Sequence, residues 1–141
     1  MGTFAGQTSG TLTARINDQP DFTADNFTLS KGPRWEIKAT HVAPTGNPAD
    51  HRELKFYVPA CSSDVSFEIT YPLHISNAEN KAMATFCTPP SIALSREGTL
   101  TLQYCASEGT MTGSFSFMCV SAPCNERYQV TEGHFKCDVS K

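Results

Sequence analysis

Apolar and polar residues alternate along most of the chain with a period of two. Such alternation is typical of half-buried β-strands, because successive side chains of a strand point to opposite faces of the sheet. Helical periodicity is rare, since Gly, Pro or β-branched residues interrupt nearly every stretch of helical length. The alternating apolar positions form seven sets: Leu12, Ala14 and Ile16; Trp35, Ile37 and Ala39; Leu54, Phe56 and Val58; Val65, Phe67, Ile69 and Tyr71; Leu100, Leu102 and Tyr104; Phe115, Phe117 and Cys119; Phe135, Cys137 and Val139.

Turn-forming residues rich in Gly, Pro, Asn and Asp separate these sets at short intervals. The resulting string of about nine to ten short strands, with no helix long enough for a parallel crossover, predicts an antiparallel β-sandwich or a partly open barrel. One short helix or 3₁₀ turn fits near Asn77–Met83. The length of 141 residues suits one domain, so residues 1–141 are predicted to form a single all-β domain.

The charge balance argues against a nucleic-acid partner. Eleven Lys and Arg stand against fourteen Asp and Glu, and the basic residues form no cluster that could follow a phosphate backbone. No apolar run is long enough to predict a membrane span. The first ten residues carry neither a basic nor an apolar signal-peptide region. Two interpretations follow: a cytoplasmic protein, or a secreted or periplasmic protein whose signal peptide is not part of this sequence. The cysteine content favours the second.

The most specific pattern lies in residues 98–135. It combines the segments G-T-L-T-L, T-G-S-F-S-F and V-T-E-G-H-F. This series resembles small secreted domains and lipoproteins of uncharacterised function, in which a G-T-F-S-F strand is followed by a V-T-N-G-x-F strand that closes the sheet. The resemblance implies an extracytoplasmic β-domain and carries no activity with it. Six cysteines are more than that group is expected to contain.

A domain of this size has a core large enough to fold without disulfides, so its cysteines need an explanation. Their even number favours disulfide bonds, although the sequence alone does not select the pairing. Our preferred set joins Cys119 with Cys124 across a short loop, Cys105 with Cys137 in neighbouring predicted strands, and Cys61 with Cys87 around the middle segment. The six cysteines are Cys61, Cys87, Cys105, Cys119, Cys124 and Cys137.

Two other interpretations of the cysteines stay open. Cys119, Cys124, His134 and Cys137 follow the spacing C-x4-C-x9-H-x2-C, and three thiolates with one imidazole suit tetrahedral zinc. His134 and Cys137 are three residues apart, however, so on a regular strand they point to opposite faces unless a bulge intervenes. Alternatively, the thiols are reduced and buried, as free cysteines that behave like small apolar side chains.

No local motif of a nucleophile, a metalloprotease or a nucleotide site is present. His41 continues the apolar face of its strand, His51 lies in a polar loop, and His74 has no identifiable partner. We therefore predict a protein that is not an enzyme and uses no cofactor. A hydrolase is the minor alternative, and it requires a pocket in which His and carboxylate groups converge.

Aromatic residues are the candidates for ligand contact. Trp35 begins an alternating apolar face, which favours the core over a stacking platform. Phe22 and Phe27 lie among polar residues, where they either pack over the sheet edge or form an exposed patch. Residues Asn26–Thr28 form a glycosylation sequon, which has meaning only in a secreted eukaryotic protein.

These observations lead to one functional prediction and one alternative. The prediction is an extracytoplasmic, non-catalytic binding module that recognises a saccharide, a peptide or a surface ligand. The alternative is an inhibitor or immunity-type protein that binds and blocks a partner protein. The expected partner is therefore a protein or a saccharide.

Overall fold

The computed structural model describes residues 10–17, 21–42, 51–61, 64–73, 82–88, 91–121 and 125–139. Within these residues the secondary structure is β-strand, as the alternating pattern predicts. The ten strands are β1 (Gly10–Ile16), β2 (Phe22–Thr23), β3 (Asn26–Ser30), β4 (Arg34–His41), β5 (Arg52–Pro59), β6 (Phe67–Pro72), β7 (Met83–Thr88), β8 (Ser91–Cys105), β9 (Thr110–Ser121) and β10 (Arg127–Asp138).

The strands form one antiparallel sheet in the order β2-β1-β10-β9-β8-β7-β5-β4-β3, and β6 pairs with the second half of β8. The sheet curls so that its two ends meet at the short segment between β2 and β3. There, Ala24 N donates to Leu12 O at 2.9 Å, and Asp25 N donates to Thr40 O at 2.8 Å. The fold is thus a curled half-barrel, which confirms the predicted antiparallel sandwich or partly open barrel.

The concave face of the sheet holds the hydrophobic core. Six of the seven predicted apolar sets are buried there, and the largest fully buried side chains include Phe22, Phe56, Phe86 and Phe117. The ring of Phe56 lies 4.7 Å from that of Phe115 and 6.0 Å from that of Phe117, centroid to centroid. Alternation therefore identified seven of the ten strands and the side of each that faces the core, whereas β2, β3 and β7 contain none of the predicted sets.

Two glycines explain the G-x-F pattern of the C-terminal strands. Gly113 of β9 lies opposite Phe135 of β10, and Gly133 of β10 lies opposite Phe115 of β9. Each ring covers the glycine across from it, because a Cβ at either glycine would lie 2.1 Å from that ring. The residues that carry the sequence resemblance are therefore packing residues of the β9–β10 pair.

The seventh apolar set, in and before β6, departs from the prediction. Tyr71 and Phe67 are half-buried, Ile69 is 37% exposed, and Val65 precedes the strand and is 63% exposed. Register places the β6 residues on the core side, opposite Leu100, Leu102 and Tyr104 of β8. They stay accessible because β6 is an edge strand and, among the described strands, has a neighbour on one side only, β8.

The predicted helical turn near Asn77–Met83 lies mostly outside the described residues, which exclude 77–81. At its end, Met83 begins β7, and Ala82 forms an isolated bridge with Leu73. These two residues are therefore extended, and the prediction is wrong for them.

Candidate functional site

The cysteines do not form the predicted bridges among the described residues, since Cys61, Cys87, Cys105, Cys119 and Cys137 are all free. Cys105 shares a row of the sheet with Thr110 and Asp138 on the outer face, whereas Cys137 shares the next row with buried Met111. A bridge between Cys105 and Cys137 would therefore have to pass through the sheet. The pairing of Cys119 with Cys124 lies outside the described residues.

The pairing of Cys61 with Cys87 is excluded by distance along β5. Cys87 pairs with Glu53 near the start of that strand, and Cys61 follows Pro59 at its end. Six residues of extended chain separate these points by about 20 Å, whereas a disulfide needs Cα atoms within about 7 Å. Cys61 and Cys87 flank the same segment of the sequence, but the fold places them far apart.

The thiols of the sheet centre behave as apolar side chains. Cys119 is fully buried and Cys137 nearly so, and burial raises the pKa of each thiol to about 12. Cys105, in contrast, lies on the surface beside the β8–β9 turn, where hydrogen bonds from Ser107 Oγ, at 3.3 Å, and from the backbone lower the pKa of its thiol. The interpretation as reduced cysteines thus fits the described residues.

The zinc interpretation has no geometric support. His134 is exposed on the outer face of β10, while Cys119 and Cys137 are buried on the core face. A bulge does interrupt β10, but it lies between Val130 and Gly133. Because it precedes His134, it leaves His134 and Cys137 on opposite faces. Cys124 is outside the described part of the chain, in which no group of three His, Cys, Asp or Glu could hold a metal ion.

His41 closes the half-barrel. Its Nδ1 donates to the carbonyl oxygen of Thr23 at 2.9 Å and lies 3.5 Å from Asp25 Oδ2, and its ring packs on Phe22 at 5.9 Å. Arg52 approaches the same ring from β5, with its guanidinium 5.5 Å from the ring centroid and a hydrogen bond to Asp21 O at 3.2 Å. Both side chains hold β2 against β4 and β5, which is a structural role.

The aromatic candidates do not form a ligand platform. Trp35, Phe22 and Phe27 are at most 3% exposed and belong to the core. Phe27 packs on Phe135 with the ring centroids 5.7 Å apart, so it helps to join β3 to the other end of the sheet. The hypothesis of an exposed aromatic patch is therefore wrong for these residues. The sequon residue Asn26 is exposed at the start of β3.

The outer face carries a regular array of hydroxyl groups instead. In one row of the sheet, Thr70, Thr101, Ser114, His134 and Thr13 follow one another across β6, β8, β9, β10 and β1. The row is tied at one end, where the hydroxyls of Thr70 and Thr101 lie 3.0 Å apart. Pleating places these side chains on the convex side, because the buried residues occupy the alternate positions.

A parallel row lies two residues further along each strand. Gln103, Thr112, Lys136 and Thr11 follow one another across β8, β9, β10 and β1. The rows are about 6.7 Å apart along the strands, and neighbours within a row are about 4.8 Å apart. We call the eight side chains that line this surface the hydroxyl face: Thr11, Thr13, Thr101, Gln103, Thr112, Ser114, His134 and Lys136.

Although it lies on the convex side of the sheet, the hydroxyl face contains a shallow depression. Its central strand, β9, carries the short side chains Thr112 and Ser114, whereas the longer Gln103, His134 and Lys136 rise on both sides. The depression has a volume of about 490 Å³ and is open to solvent, and other surface depressions of the described sheet are of similar size; small-molecule sites usually have volumes of about 300–1,000 Å³. It differs from most such sites in being lined by polar side chains.

Sequence reasoning missed this surface, although the sequence contains a signal for it. Thr-x-Thr occurs at Thr11–Thr13, Thr99–Thr101 and Thr110–Thr112, each time in a strand of the sheet. The apolar positions predict the core face, and the polar positions between them are equally typical of an ordinary solvated face. The register that aligns the threonines between strands follows only from the pairing.

Searches against family models, curated proteins and solved structures found no match to this chain. Among the described residues, no helix is long and apolar enough to cross a membrane.

Proposed function

We propose that the protein is a non-catalytic binding module that recognises a saccharide through the hydroxyl face. The observation that carries this proposal is the alignment of five Thr and Ser hydroxyls with Gln103, His134 and Lys136 on adjacent strands. Hydroxyl and amide groups both donate and accept hydrogen bonds, so they match a ligand that presents several hydroxyl groups in a plane.

The sheet beneath the hydroxyl face supports this role. The core side of β9 and β10 is packed by Phe115, Phe117 and Phe135, and both strands are paired on each side. Side chains on such a framework lose little conformational freedom on binding, which favours affinity for a flat ligand. Extracytoplasmic location is part of the proposal and rests on the resemblance of residues 98–135 to secreted domains.

The test is a titration of ¹⁵N-labelled protein with a panel of soluble oligosaccharides: cello-, xylo-, chito- and galacturonan hexamers. We expect at least one of them to shift the amide resonances of β1, β8, β9 and β10. The buried Trp35 is a poor reporter for this purpose, because it belongs to the core. A panel without any shift, or shifts confined to β3, β4 and β5, would overturn the proposal.

Variants sharpen the result. Thr112→Val together with Ser114→Ala removes two hydroxyls while it conserves shape, and two lost hydrogen bonds should weaken binding about tenfold or more. Thr40→Val is the matched control, since Thr40 is a half-buried threonine of β4, outside the hydroxyl face. Equal effects of the double variant and the control would contradict the assignment of the site.

A further inference from the structure

Among the described residues β6 pairs with another strand along one edge only, although near its end the Tyr71 hydroxyl lies 3.7 Å from Sγ of Cys61, past the end of β5. β2 and β3 stand at the ends of the strand order and also pair on one side only, but β2 has two residues and the apolar residues of β3, Phe27 and Leu29, are already buried. β6 pairs with β8 on one side, and no described strand pairs with its other side. Alternate residues of β6 thus direct backbone N–H and C=O groups away from β8, and such groups are a template for another strand.

The core-side residues of β6 are apolar and only partly covered. Ile69 is 37% exposed, whereas its register partner Leu102 is fully buried. The ring of Phe67 rests on Tyr104 at 5.4 Å, and Tyr71 is half-buried. One more strand beside β6 would cover this set as β6 covers the residues of β8.

The usual protections of an edge strand are few here. Natural edges carry Lys, proline, bulges or inward-pointing charges that prevent pairing. β6 has no Lys, its register with β8 has no bulge, and its single charge, Glu68, lies on the outer face. Pro72 stands at the last position, where it ends the strand and leaves Phe67–Tyr71 free to pair.

We propose that β6 pairs antiparallel with β6 of a second copy of this chain, about a two-fold axis perpendicular to the sheet at Ile69. In this arrangement Ile69 lies opposite Ile69 of the second copy, and each Phe67 lies opposite a Tyr71. On the outer face, each Glu68 lies opposite a Thr70. Aromatic cross-strand pairs stabilise a sheet, and the carboxylates face hydroxyls instead of each other.

The neighbouring symmetric registers are less favourable. A two-fold axis perpendicular to the sheet keeps the core-side residues of both copies on the same face. The axis must therefore pass through a residue position, and the two registers next to that at Ile69 place it at Glu68 or at Thr70. An axis at Glu68 sets two carboxylates directly opposite each other, which is destabilising. An axis at Thr70 brings Pro72 into the ladder, where it cannot donate a hydrogen bond.

The pairing also has a consequence for the hydroxyl face. Thr70 stands at the β6 end of the Thr70, Thr101 and Ser114 row. A two-fold axis perpendicular to the sheet keeps the outer faces of both copies on the same side. The two hydroxyl faces would then belong to one continuous sheet, although the pairing itself does not depend on what the hydroxyl face binds.

Sedimentation velocity over a range of concentrations tests the pairing. A six-residue edge is small beside the roughly 1,200–2,000 Å² of a stable interface, so we expect a concentration-dependent dimer. Ile69→Lys should shift the chain to monomer, because it places a charge on the paired face. The matched control is Ile92→Lys, since Ile92 is an isoleucine of β8 that is 52% exposed and lies outside β6.

Three outcomes would overturn the proposal: a parent chain that stays monomeric up to about 1 mM, a dimer that Ile69→Lys leaves intact, and equal loss of the dimer in both variants. Circular dichroism on each variant establishes that the sheet is retained. If Ile69→Lys fails to fold, disulfide cross-linking of cysteine variants tests the pairing instead.

Cross-linking reads the register directly. In the proposed dimer, a cysteine introduced by Ile69→Cys faces its own symmetry mate, so mild oxidation should produce an interchain disulfide beyond the level of the parent chain. Glu68→Cys is the control, because position 68 faces position 70 in this register. Preferential cross-linking of Glu68→Cys, or none by Ile69→Cys, would overturn the axis at Ile69.

Discussion

The β9–β10 pair and the β6 edge carry the same alternation of apolar and polar residues, yet they differ in burial. In β9 and β10, Phe115, Phe117 and Phe135 are at most 4% exposed, and two of these rings cover glycines on the facing strand. In β6, Ile69 remains 37% exposed. The difference shows that alternation defines the face of a strand, whereas the number of neighbouring strands determines how deeply that face is buried.

The largest expected contrast comes from the same substitution at both places. Phe115→Ala should lower the free energy of unfolding by about 3–5 kcal/mol, because it leaves a cavity in the core. Phe67→Ala should cost about 1–2 kcal/mol, since the ring is only half-buried. Urea unfolding at low protein concentration, followed by the fluorescence of buried Trp35, measures both. Equal losses would mean that β6 is as well covered as the centre.

A second test adds volume to the centre. Gly113→Ala would place a methyl group 2.1 Å from Phe135, and the required displacement should cost about 1–3 kcal/mol. Gly32→Ala is the control, because its nearest neighbour would be 3.7 Å away. Phe135→Leu in the Gly113→Ala background should recover part of the loss. If the control is as unstable as Gly113→Ala, the contact between ring and glycine is not the cause.

A third test changes polarity at constant shape. Val130→Thr puts a hydroxyl at a fully buried position of β10 and should cost about 1–2 kcal/mol in urea unfolding. Val65→Thr, before β6, should stay within about 0.5 kcal/mol of the parent chain, because Val65 is 63% exposed. A marked loss in Val65→Thr would show that this residue is covered in the folded protein.

The smallest expected effect concerns Cys105, the last residue of β8. Native-state alkylation near neutral pH should modify Cys105 before Cys119 or Cys137, because its pKa is lowered while theirs are raised to about 12. Ser107→Ala removes the main hydrogen bond to the Cys105 thiol, so the pKa rises towards its ordinary value. Peptide mass mapping should then show labelling slowed a few-fold, with the pH–rate profile displaced to higher pH. An unchanged profile would contradict this role of Ser107.

The sequence predicts seven of the ten described strands and their core faces, because the period of two is a local property; β2, β3 and β7 contain none of the alternating sets. It also contained the information that separates Cys105 from Cys137. Tyr104 was assigned to the core, so the adjacent Cys105 had to lie on the outer face. The pairing prediction considered only which strands were adjacent.

Other features depend on which strands meet. The exposure of Ile69 follows from the position of β6 at an edge, and the burial of Phe22 follows from the approach of β4 and β5 to β2. The hydroxyl face depends on register, since threonines from β1, β8 and β9 align only when the intervening β10 is in place. Local patterns do not contain these relations.

The pairing of β1 with β10 brings Gly10 opposite Cys137 and has a consequence for synthesis. β1 leaves the ribosome well before β10, and until β10 appears its only strand partner among the described residues is the two-residue β2. At roughly 5–20 residues per second, the delay is on the order of ten seconds. During this time the apolar side of β1 lacks its β10 neighbour, so the synthesis of β10, and not the formation of the first hairpins, sets the earliest moment at which the half-barrel is complete.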